Sequence, residues 1–372
     1  MPRARLFALF IVIGLFCLIA PESSALEAKL RVDAGLTGIN RWVAFADGGW
    51  VQVEKGRLEF YAPNGERHRT LKLRGNEVLV APHGCRAAGV ISYADFQPNT
   101  LHAVTFDLYG PTGEQILRLS DPHFASAIVS EAGNAFVGVD GAEGLPLSVL
   151  RFYDLSGKER KSLEVERFEG GAFCADGSVF LFETAADGLQ ACDAAGEVLG
   201  KIGRADRWAA SADAGVVARV ADNRLFFYRE GELFQTLPWD TRYGTVRAVA
   251  LSPNGSHAAV VSGSRAAVIE VDSARILWDA ESSATPWNYR SASLTDDATL
   301  VAFGSDYDPG VEAEDRHLRS RCEVFDRAGR LIHAEEGQPA KWGALFPQVR
   351  FDRSQPLLMF IDRDHIKLFS IE

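Results

Sequence analysis

The sequence is poor in the signatures of covalent or metal-assisted catalysis. It contains no Gly-x-Ser-x-Gly, no His-Glu-x-x-His, no Walker loop and no glycine series set between a strand and a helix. Its histidines, among them His68, His83, His102, His123, His257, His317 and His333, are scattered, so spacing alone assembles no His/Asp/Ser set. Cysteine is scarce: Cys17, Cys85, Cys174, Cys192 and Cys322 form no CxxC or zinc spacing, which leaves buried small apolar residues as the simplest reading of the last four. Positive charge is in deficit, with 39 Lys and Arg against 50 Asp and Glu and a formal net charge of −11. A nucleic-acid partner needs clustered Lys and Arg and is therefore not expected. No basic amphipathic helix is visible either.

What is present begins with residues 1–25. Arg3 and Arg5 precede an unbroken apolar run from Leu6 to Ala20, and Ser23-Ser24-Ala25 offers a small-residue cleavage site. This reads as a secretory signal peptide, with an uncleaved anchor as the alternative. The apolar run is short for a membrane span, which needs roughly twenty residues. Phe16 before Cys17 is too bulky for a lipoprotein signal. The expectation is an exported chain, periplasmic or extracellular, with no stable membrane insertion after cleavage.

The rest, residues 26–372, reads as one domain built from a repeat. Val246 to Trp278 shows three short apolar runs and a fourth, Arg275 to Trp278, separated by Pro253-Asn254-Gly255, Gly263-Ser264 and Asp272-Ser273. These are turn sequences between short strands, hence a four-stranded antiparallel meander. Its first turn recurs at Ala46-Asp47-Gly48, Pro82-His83-Gly84, Glu131-Ala132-Gly133, Ala175-Asp176-Gly177, Asp213-Ala214-Gly215, Thr295-Asp296-Asp297 and, degenerate, Asp352-Arg353-Ser354. A second series marks the ends of third strands: Asn64-Gly65, Thr112-Gly113, Ser156-Gly157, Ala195-Gly196, Glu230-Gly231 and Ala328-Gly329. The two series keep one phase, which predicts an all-β propeller of eight four-stranded blades, with seven as the alternative. The last unit lacks an outer strand, while Lys29 to Val32 stands alone near the start. Pairing the two would close the ring and remove an open sheet edge.

These turns, with Phe-Tyr or Phe-Asp ahead of the second series, resemble the broad superfamily of WD40-like, YVTN-type and quinoprotein-like β-propellers. Trp239-Asp240 and Trp278-Asp279 fall after fourth strands, not at third-strand ends as in true WD40 repeats. Asp272 to Trp278 is similar to one quinoprotein tryptophan-docking repeat, but no other unit reproduces it. The resemblance implies the fold and leaves function open.

In such a ring the fourth-to-first and second-to-third connections share one rim. The longer second-to-third loops, Asp95 to His102, Asp140 to Leu147 and Ser305 to Arg319, all fall there. So do five tryptophans, each with a basic or aromatic neighbour: Arg41 with Trp42, Arg207 with Trp208, Trp239 with Arg242 and Tyr243, Trp287 with Tyr289 and Arg290, and Trp342 with Lys341 and Phe346. Two readings stand. They form a binding rim for a protein or glycan of the cell envelope, or the indoles are spacers packed between blades. Asp306, Asp308 and Glu312 are a candidate Ca²⁺ set by their oxygen ligands and spacing, against the reading of a solvated acidic loop; no other cofactor is expected. The leading expectation is a non-enzymatic binding or scaffold propeller. The alternative is an exported propeller enzyme, a quinone-dependent dehydrogenase or a hydrolase or lyase, with its site at the channel mouth.

Overall fold

The structure, a computed structural model, describes residues 28–35, 42–54, 56–73, 76–82, 85–93, 103–140, 146–240, 244–281, 287–307, 319–337, 347–351, 357–362 and 365–371. The described residues form eight four-stranded antiparallel sheets, with a single 3-10 turn at Asp296–Ala298. Blades 1 to 7 run in sequence over residues 42–72, 76–120, 126–166, 168–203, 207–238, 246–281 and 287–336. Blade 8 takes three strands from 348–371 and its outermost from Ala28–Gly35, paired antiparallel with His365–Ile371. The count is eight and the N-terminal strand completes the last sheet.

Eight buried clusters hold the blades together, and each draws its residues from two neighbouring blades. The cluster of Trp42, Ala44 and Trp50 with Met359, Ile361, Ile366 and Leu368 joins blade 1 to blade 8, so the series returns on itself. Strand His257–Ser262 explains why the sequence shows apolar runs rather than alternation. Ala258 and Val260 face blade 5 while Ala259 and Val261 face blade 7, because successive side chains point to opposite faces and both faces are covered. Fourth strands are mostly exposed and carry charges such as Arg67, Arg69 and Lys72, which blunt an outer edge.

The turns carry the chemistry their sequences announce. Gly65, Gly113, Gly157, Gly196, Gly231 and Gly329 all have φ between +76° and +88°. At Gly196 a side chain is excluded twice, since a Cβ would also lie 2.7 Å from the Phe152 ring of the preceding blade. First-to-second turns are tied to one another: Ala46 N–H donates to Cys85 O, Arg86 to Glu131 O, Ala132 to Ala175 O, Asp176 to Ala212 O and Ala212 to Pro253 O. Asn254 N–H continues the belt onto Asp296 Oδ1. One rim is therefore a hydrogen-bonded ring running from blade 1 to blade 7.

A further repeat ends the first strands. Ser130, Ser211, Ser252 and Thr295 each accept, through the side-chain oxygen, the amide five residues on. Cys174 holds the same place, with its sulfur 3.1 Å from Val179 N. The four described cysteines are free and buried, as small apolar residues would be. Burial pushes the Cys85 and Cys192 thiols up to about 12 and raises Cys322 further. Cys174 and Cys322 should thus respond oppositely to serine. Cys174→Ser should change unfolding free energy by less than about 1 kcal/mol, because serine makes this turn in three other blades. Cys322→Ser should cost roughly 1–3 kcal/mol, since it puts a hydroxyl into the apolar cluster between blades 7 and 8. Urea unfolding of the two variants checks this. Equal losses would refute the turn role of Cys174.

One detail differs from the sequence reading. Trp278-Asp279 lies inside the fourth strand, Arg275–Glu281, rather than after it. Asp279 accepts from Arg265 at 2.9 Å on the adjacent strand, which fixes the pair in the ladder.

Candidate functional site

Fourth-to-first and second-to-third connections meet at the rim opposite the turn belt. The strands flanking the long loops end at Tyr93, Asp140 and Tyr307 and resume at Ala103, Leu147 and Arg319. The third of these loops starts later than expected, because Ser305, Asp306 and Tyr307 belong to strand Leu300–Tyr307.

The tryptophans divide into two kinds. Trp42 and Trp239 are each only 4% exposed, and Tyr289 1%. Trp42 packs between blades 1 and 8, Trp239 between blades 5 and 6, and Tyr289 between blades 6 and 7. These three are inter-blade spacers and present no face to a ligand; a flat ring fills the wedge where two sheets diverge and is stabilised by leaving water. Trp208 and Trp287 are half-buried and keep part of their surface at the rim. Arg41, Arg242, Tyr243 and Trp342 lie outside the described residues, as do Asp308 and Glu312.

The two described arginines of the set, Arg207 and Arg290, are engaged rather than loose. Arg207 donates through Nε to Arg247 O at 2.8 Å and through Nη1 to Asp206 O, so it ties blade 5 to blade 6. Arg290 Nε donates to Asp306 Oδ2 at 2.8 Å. Asp306, a member of the candidate Ca²⁺ set, is thus paired with a cation on the neighbouring strand. No cluster of three or more His, Cys, Asp or Glu able to hold a metal occurs among the described residues.

Pairing across strands brings other residues to the half-exposed tryptophans. In blade 7 the Trp287 and Tyr307 rings stand 5.6 Å apart at 50°, a tilted pair on adjacent strands. The Arg321 guanidinium lies 5.9 Å from the Trp287 ring centre and 3.2 Å from Glu323. Glu323 also accepts from the Tyr289 hydroxyl at 3.1 Å; burial, then the Glu323 charge, raises that hydroxyl well above the usual phenol range. In blade 5, Trp208, Arg219 and Phe226 sit opposite one another on three successive strands. Arg219 lies 4.3 Å over Phe226, and its Nε donates to the Tyr228 hydroxyl at 2.8 Å. Tyr307, Arg321, Arg219 and Phe226 were not picked out from the sequence. They stand strands away from the tryptophans, and only the register joins them.

Blade 4 has a small recess on this rim, about 420 Å³, bounded by Glu169, Glu183, Asp187 and Arg204. Burial raises the Glu183 carboxyl; the Ala205 N–H opposes this, while the Glu169 and Asp206 charges add to it. Asp187 is neutralised by Lys201 at 2.6 Å.

The chemistry available across the rim is that of flat rings beside guanidinium groups, suited to stacking and to hydrogen bonds with acceptors. An eight-bladed ring is consistent with the broad propeller superfamilies. No protein-family model matches the chain, and none of the curated proteins does so.

Proposed function

We propose that the chain is an exported propeller that binds a protein or glycan of the cell envelope through its loop-rich rim. Export rests on the basic start, apolar run and small-residue site in residues 1–25. The observation that carries the binding reading is the half-exposed Trp287–Tyr307 pair with Arg321 beside it. Tilted aromatic faces suit the C–H face of a sugar ring or an apolar side chain, and the guanidinium supplies donors to hydroxyl, carboxylate or carbonyl oxygens. Trp, Tyr and Arg are the residue types that most often dominate binding energy once a partner covers them.

The test is a binding screen of the mature chain against envelope oligosaccharides, peptidoglycan fragments and envelope proteins, repeated with Trp287→Ala, Tyr307→Ala and Arg321→Ala. At least one of the three should weaken the partner found by about 30-fold or more, the loss expected at a hot spot of ~2 kcal/mol. The melting temperature of Trp287→Ala should move little, because the indole is only half-buried. Unchanged binding in all three variants would refute this use of blade 7.

A further inference from the structure

The opposite end of the channel holds a cavity of about 730 Å³, open to one side, within the belt of first-to-second turns. Residues of blades 2, 3, 5, 6, 7 and 8 line it, so it is the central channel itself. Small side chains such as Ala210, Ala250 and Ala292 share its walls with larger apolar ones such as Leu251, Leu294, Val349 and Phe351, where the first strands converge on the axis. The volume falls in the range of small-molecule sites, roughly 300–1,000 Å³.

Among the described residues four charged side chains line this space: Glu131, Arg350, Asp296 and Asp297. Arg350, on the first strand of blade 8, reaches past blades 1 and 2 to Glu131 of blade 3 and pairs with it through one terminal nitrogen. A guanidinium carries five N–H donors in a planar fork. Glu131 is the one side-chain acceptor it meets among the described residues, and the Arg350 side chain lines the cavity. Glu131 thus holds the guanidinium in place while leaving an edge of it for an oxyanion. Asp296 and Asp297 supply negative charge from blade 7, and both are exposed. Asp296 is fixed there by the Asn254 amide on its Oδ1.

We propose that this cavity binds a small zwitterion, a free amino acid or short unblocked peptide. Its carboxylate lies on the Arg350 fork and its ammonium group at Asp296 and Asp297. Fork-to-carboxylate pairing is bidentate and selective for that geometry. The wall between these charges is largely apolar and offers no further charged partner among the described residues, so the site reads the two termini. It stands at the far end of the channel from the aromatic rim and does not depend on it.

Isothermal titration of the full chain with Ala-Ala, N-acetyl-Ala-Ala and Ala-Ala amide tests the proposal. Ala-Ala should bind saturably with one site per chain, and blocking either terminus should weaken it by about tenfold or more, because a charge is left unmatched. Arg350→Gln should abolish binding, with its fold verified by near-ultraviolet circular dichroism. Asp296→Asn with Asp297→Asn should make Ala-Ala and its N-acetyl form bind alike. Trp287→Ala should leave all of these values unchanged. Should Arg350→Gln fail to fold, the comparison of blocked and free peptides on the unaltered chain decides alone. Absence of saturable heat with Ala-Ala, or equal affinity for the three peptides, overturns the proposal.

Discussion

Trp239→Ala should lower the unfolding free energy by about 3–5 kcal/mol, read as a shift of the urea midpoint at constant slope. Trp239 is 4% exposed and fills the interface of blades 5 and 6 beside Val246, Leu225 and Phe227. Alanine would leave a cavity that neighbouring strands cannot close, since they are held in their own ladders. The indole nitrogen has no hydrogen-bond partner among the described residues, so the ring acts there as an apolar wedge. Trp239→Phe should therefore lose much less than Trp239→Ala. Trp287→Ala, in contrast, should affect binding more than stability. A Trp239→Ala chain as stable as the unaltered one would mean that blades 5 and 6 are not held together as described.

The second large effect concerns closure. Deleting residues 28–35 removes the strand that pairs with His365–Ile371 from Ala28 opposite Ile371 to Gly35 opposite His365. The third strand of blade 8 would then be an open edge, and the cluster joining blades 7 and 8 would lose the cover of Ala28. The expected loss is on the order of 5 kcal/mol, a large part of a domain's net stability. Light scattering should also report self-association, since unpaired edges recruit other strands. A synthetic peptide of residues 28–35 added in excess should restore the melting transition by strand addition. Full stability of the truncated chain without the peptide would show that the pairing contributes little.

Much of the fold was legible because its turns are local. A glycine at positive φ must be declared in the sequence, and the series from Gly65 to Gly329 is visible without knowing any contact. The missing outer strand of the last unit was legible for a similar reason, since a count of strands is local too. The polar residues that close the first strands, Ser130, Cys174, Ser211, Ser252 and Thr295, were equally available. They went unread because their types differ while their task is the same. At the tryptophans local sequence no longer decides the environment. A residue near the start of a strand faces an interface or the rim according to its depth along the strand as well as its parity: Trp287 and Tyr289 share a parity and a regular register, yet Tyr289 is buried while Trp287, at the strand end, is only half-buried. The pairing of Arg350 with Glu131 left no local trace, because it depends on how blades 3 and 8 are placed around the axis.

The belt of turn hydrogen bonds gives the two faces of the ring different mechanical characters. On one face the turn amides of blades 1 to 6 are committed to the next blade, from Ala46 on Cys85 through Ala212 on Pro253 to Asn254 on Asp296, so none of these turns can move without straining its neighbour. A guest entering from that side meets walls already ordered, and little conformational entropy is lost when it settles. The other face has long connections beginning after Tyr93, Asp140 and Tyr307, where length and composition can change without disturbing the ladder. Substitution and insertion can therefore retune what the loop face recognises, while the belted face keeps its shape.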